Sequence, residues 1–135
     1  EGADFFVGEA KGTDAKFQEF FKFSKYRNVK IYYSGDYVRH NFGNWETEKI
    51  DSGIKTKSHA MHAAKDRTMT ALADTGLMIW DGLSAGTLSN LIDLLNQGKP
   101  CQVRSRKSSC CSSIDLSNRF TRGNFSIGLS KLYFH

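Results

Sequence analysis

Two strand–glycine–helix units constrain this chain more than any other feature of its sequence. The first runs Phe5-Phe6-Val7-Gly8-Glu9-Ala10-Lys11-Gly12-Thr13-Asp14 into a helical run carrying Phe17, Phe20, Phe21 and Phe23. The second runs Gly76-Leu77-Met78-Ile79-Trp80-Asp81-Gly82-Leu83-Ser84-Ala85-Gly86-Thr87 into a run carrying Leu88, Leu91, Ile92, Leu94 and Leu95. In each, a short apolar strand ends at a glycine-bearing turn that opens a helix. Glycine lets a backbone approach a ligand closely, and the first turn of a helix offers unpaired N–H groups and a partial positive charge. Two such turns on one parallel sheet form a cradle for a phosphate or a nucleotide.

The same alternation fills the rest of residues 1–103. Thr13 or Asp14 suits the N-cap of a helix over residues 14–23. Val29–Tyr33 is β-branched and aromatic, hence a strand. Residues 34–54 hold Gly35, Gly43 and Gly53 without a sustained period, and read as a long irregular loop. Residues 57–73 are rich in helix formers, residues 76–80 suit a strand covered on both faces, and a helix over 87–97 leads to a strand from Pro100 to Val103. Alternating strands and helices predict one α/β domain, a Rossmann-like parallel sheet with flanking helices.

The net charge of +5 is unevenly placed. Residues 1–103 hold 13 Lys+Arg and 13 Asp+Glu and are neutral; residues 104–135 hold six cations against Asp115. A neutral body argues against nucleic acid as the partner, because counterion release needs several cations on one surface. The segment 104–135 is also serine-rich and aperiodic. It reads as a basic tail that is disordered, or as residues foreign to the folded domain. No apolar run reaches membrane-helix length and no secretory leader is evident, so no membrane partner is expected and the chain reads as cytoplasmic. Cys101, Cys110 and Cys111 form no C-x-x-C, and no metal site is expected.

Each candidate constellation has a structural alternative. Gly8, Gly12, Thr13 and Asp14 could hold an anion at a helix N-terminus, or simply form a tight turn. Asp81 could accept ribose hydroxyls while Ser84, Gly86 and Thr87 face a phosphate, or these residues could cap their own turn. His59 and His62 lie one turn apart, with nothing nearby to complete a metal set. Lys65-Asp66-Arg67 could aim a cation at a phosphate, or form a solvated charged face. In the loop, Tyr37, Arg39, His40, Asn44 and Trp45 mix aromatic and hydrogen-bonding groups, and Arg39 and Trp45 are expected to flank the pocket.

The turn Gly8-Glu9-Ala10-Lys11-Gly12-Thr13-Asp14 resembles the G-x-A-x-G-I-D turn of the Rossmann-like superfamily that unites DNA-processing proteins with the Lonely-guy phosphoribohydrolases (SLOG-like proteins). Residues 74–103, with Ser84-Ala85-Gly86-Thr87 and Gly98-Lys99-Pro100, resemble that superfamily's second half and also look like nucleoside 2-deoxyribosyltransferases. The resemblance spans residues 5–103. It implies a strand and glycine turn ahead of residue 5, so the sheet is expected to lack its first strand. In the related enzymes a catalytic Glu follows the Gly-Thr pair by three residues; here that position is Asn90, whose amide neither attacks nor titrates.

The resulting expectation is a non-catalytic module for a nucleotide or nucleotide derivative, with no cofactor and with self-association left open. Its ligand-binding residues would be Gly8, Gly12, Thr13, Asp14, Arg39, Trp45, Asp81, Ser84, Gly86 and Thr87. Two alternatives stand beside it. One is an N-glycosidic hydrolase or transferase acting on nucleosides or their monophosphates, with Asp14 or Asp81 as the carboxylate. The other is single-stranded DNA binding.

Overall fold

The computed structural model describes residues 2–53, 58–80, 82–105, 114–115 and 131–134. Strand β1 (Phe5–Val7) leads into helix α1 (Thr13–Phe23), and β2 (Val29–Tyr33) is followed by β3 (Glu46–Lys49). Helix α2 (His59–Leu72), strand β4 (Thr75–Trp80), helix α3 (Ala85–Asn96) and strand β5 (Cys101–Ser105) come next, with β6 (Ile114–Asp115) and β7 (Lys131–Phe134) last. The local signals explain most of these elements. Gly12 opens α1 with φ 96°, a backbone region that side chains disfavour. Ser58 caps α2 by accepting from the Met61 N–H, and Lys99 donates to the carbonyls of Thr70 and Ala71 at the far end of that helix, each at 2.7 Å.

The sheet order is β3-β2-β1-β7-β4-β5-β6. Strands β3, β2 and β1 form one parallel block, and β4 with β5 forms a second. From β1 the chain steps outward to β2 and β3, then crosses back to β4 and continues outward to β5. This reversal defines a Rossmann-like α/β fold, with its topological switch point between β1 and β4.

Two features depart from the sequence reading. Residues 46–49, expected to be loop, form β3, whose Glu-Thr-Glu-Lys sequence carries no apolar signal. It is an edge strand held to β2 by backbone pairing and by Lys30, which reaches Glu46 at 2.9 Å and Glu48 at 3.2 Å. Charged side chains on such an edge oppose further strand addition. The tail expected to be disordered contributes β6 and β7 to the sheet. Strand β7 lies antiparallel between β1 and β4, so residues 131–134 belong to the folded body; most of the remaining tail falls outside the described residues.

Strand alternation sends side chains to two separate cores. Val7, Val29 and Ile31 pack with Phe21 of α1. Tyr32, Met78, Cys101 and Val103 pack with Met69 and Ala73 from the α2 side and with Leu91 and Leu94 of α3. Burial pushes the Cys101 thiol up to about 12. Cys101 is therefore expected to resist iodoacetamide at pH 8 in the folded protein and to react in guanidinium, as read by mass spectrometry of its own peptide. No helix among the described residues is long and apolar enough to cross a membrane.

Candidate functional site

Helices α1, α2 and α3 each begin at the carboxyl edge of the parallel strands, and their first turns meet around one cavity of about 410 Å³. Ala10, Lys11 and Asp14 enter from the β1–α1 turn, His59 and His62 from the start of α2, and Ser84, Gly86 and Thr87 from the start of α3. Lys65 and Asp66 line it from the second turn of α2, and Arg39 from the β2–β3 connection. Three positive helix ends and the cations Lys11, Arg39 and Lys65 thus face one space at the switch point.

The β1–α1 turn is built for close approach. A Cβ on Gly8 would collide with the Asp14 carboxylate and stand 2.8 Å from Lys65 Nζ. Glycine at this position therefore makes room for the protein's own charged groups. Asp14 accepts the Ala10 N–H at 3.1 Å, placing a carboxylate in the first turn of α1. Lys65 is only 4% exposed and stands 3.5 Å from Asp66 Oδ1. Ammonium groups are rarely buried so completely without carboxylates nearby.

Beside the cavity, the β2–β3 connection is strapped to the same turn. Glu9 is 1% exposed; its carboxylate accepts the Arg39 N–H at 2.8 Å and Arg39 Nη2 at 3.2 Å. The Glu9 carbonyl pairs at 2.9 Å with His40 Nδ1, which must carry the proton. Gln18, fully buried, donates to the carbonyls of Gly8 at 2.9 Å and His40 at 3.2 Å, while its oxygen accepts the Phe42 N–H at 3.2 Å. These contacts hold the Arg39 guanidinium at the cavity wall.

His62 sits between these groups, hydrogen-bonded through Nδ1 to Ser34 Oγ at 3.1 Å. Burial lowers its pKa below 6.5, and the Lys65 and Arg39 cations lower it further against the opposing pull of Asp66 and Glu9. The imidazole is therefore neutral at pH 7. On the α3 side, Thr87 Oγ1 donates to Ser84 Oγ at 3.3 Å. Asn90 is buried one turn further along α3 and does not line the cavity.

Of the residues expected from sequence, Asp14, Arg39, Ser84, Gly86 and Thr87 come together here. Gly8, Gly12 and Thr13 shape the turn without lining the cavity, and Asp81 lies outside the described residues. Trp45 is a correction. Because β3 runs parallel to β2, residues 34–45 must travel back to the amino edge before β3 begins, and they carry Trp45 to the opposite end of the sheet. Lys65 and Asp66, which a solvated charged face would have exposed, are buried; Arg67 alone keeps that character. His59 and His62 both reach the wall, yet no group of three or more potential metal ligands occurs among the described residues. No protein-family model, curated protein or solved structure matches the chain.

Proposed function

We propose that this domain is a non-catalytic binding module for a nucleotide or nucleotide derivative, with the ligand's phosphate held in the carboxyl-edge cavity. The observation that carries the reading is the meeting of three helix N-termini with Lys11, Arg39 and Lys65 at the switch point. Charge-assisted hydrogen bonds to an anion are stronger there than in open solvent. The resemblance of the two glycine turns to SLOG-like proteins supports the same ligand class. Asn90, buried away from the cavity, supports binding over glycosidic chemistry. Thermal-shift and calorimetric titrations with AMP, ADP-ribose and sulfate test the reading. Protection by a phosphate-bearing nucleotide, weakened by Thr87→Ala, is expected; no protection by any of the three overturns it.

Binding should take up a proton. An anion beside His62 offsets the Lys65 and Arg39 charges that hold its pKa down. Sulfate, whose own charge is constant between pH 8 and pH 6, should bind more tightly as pH falls. The gain is bounded at about tenfold per pH unit, the limit for one coupled proton. His62→Gln should flatten the profile. Without ligand the sign for stability is opposite. Unfolded His62 titrates near about 6.5, above its folded value, so its contribution is full at higher pH and is lost as pH falls through that value.

A further inference from the structure

The amino edge of the sheet carries a second recess, about 580 Å³ in volume, at the far end from the cavity described above. Its lining combines two chemistries. Lys22, Lys25 and Arg27 supply three cations, and none of them pairs with a carboxylate among the described residues. Glu46, the one acid on the wall among the described residues, is already engaged by Lys30 at 2.9 Å. Tyr26, Phe42 and Trp45 supply aromatic surface beside these cations.

The aromatic wall is held in place. The Trp45 N–H donates to Asn41 Oδ1 at 3.0 Å, its carbonyl accepts from Asn41 Nδ2 at 2.9 Å, and its indole N–H donates to the Tyr26 carbonyl at 2.9 Å. Lys25 ends α1 with φ 54°, at the left-handed position that glycine usually takes after a helix. Asn44 has φ 52°, and these two are the only non-glycine residues with positive φ among those described. Both line this recess. Asparagine adopts this backbone readily, whereas a lysine holds it only where its surroundings enforce it.

We propose that the amino-edge recess is a second ligand site, which takes an aromatic ring bearing a phosphate monoester. A plain anion would leave the aromatic wall unused, and an apolar ring would leave three cations without a counter-charge. A doubly charged phosphate on a planar ring matches both, and rigid aromatic surface adds contact area at little entropic cost. This inference stands on different residues from the carboxyl-edge reading and does not depend on it.

The test is fluorescence titration of the full chain with 1-naphthyl phosphate, with 1-naphthol and inorganic phosphate as half-ligand controls. Saturable change in Trp45 emission is expected with 1-naphthyl phosphate, at least tenfold tighter than with either control. Trp45→Phe should remove the signal while calorimetric binding persists. The exposed pair Lys25→Glu and Arg27→Glu, placed to spare the fold, should weaken binding at least tenfold. Lys65→Met, at the other site, should leave this titration unaltered. Equal affinity for inorganic phosphate, or a titration that Lys25→Glu with Arg27→Glu does not change, overturns the proposal.

Discussion

Replacing Gln18 by alanine should lower stability by about 2–4 kcal/mol, because one buried and two partly buried backbone groups lose their partner together. The Gly8 and His40 carbonyls and the Phe42 N–H all meet this one amide, which solvent does not reach. A water entering the vacated space would satisfy some of them, which keeps the cost below the sum of three separate losses. For a domain of this size the change corresponds to a Tm drop of roughly 10 °C. Gln18→Glu should be no milder, since it sets a carboxylate against two carbonyl oxygens where an N–H group had donated. The variant should also loosen the segment that carries Arg39, so sulfate affinity should fall with stability. A loss below about 1 kcal/mol by urea denaturation would mean that the strap is held by other contacts.

The second large effect belongs to Lys65. Lys65→Met removes a buried cation from beside Asp66 and from the neighbourhood of Asp14. Leaving buried carboxylates without their counter-charge should cost about 3 kcal/mol at neutral pH. Anion affinity should fall by about 10- to 100-fold, the value of one charge-assisted hydrogen bond. The double variant Lys65→Met with Asp66→Leu separates these losses. Replacing both members of a buried pair by apolar side chains often restores stability, whereas the anion still lacks its ammonium. Recovery of stability without recovery of sulfate binding, followed by calorimetry, is the expected pattern. Full binding by either variant would remove Lys65 from the site.

Most helices and parallel strands were legible because their causes are local. The periods of residues 14–23 and 87–97, the β-branched run Val29–Tyr33, and the glycines at the strand ends all act over a few neighbours. The pairing of the two glycine turns was legible too, since consecutive parallel strands bring their carboxyl ends to one edge. Asp14, Arg39, Ser84, Gly86 and Thr87, all expected at the pocket, accordingly line one cavity.

What remained hidden depends on contacts between distant residues. Strand β3 has no apolar alternation because it is an exposed edge, and only its pairing with β2 makes it a strand. That pairing also turns the chain back and separates Trp45 from Arg39, six residues away in sequence yet at the opposite end of the sheet. Strand β7 occupies the gap between β1 and β4 through backbone hydrogen bonds, which composition does not report. Lys65 and Asp66 look like surface charges on a helix; packing α2 over the β1–α1 turn buries them. Sequence periodicity specifies which face a residue takes within its own element, while burial and partnership depend on where that element comes to rest.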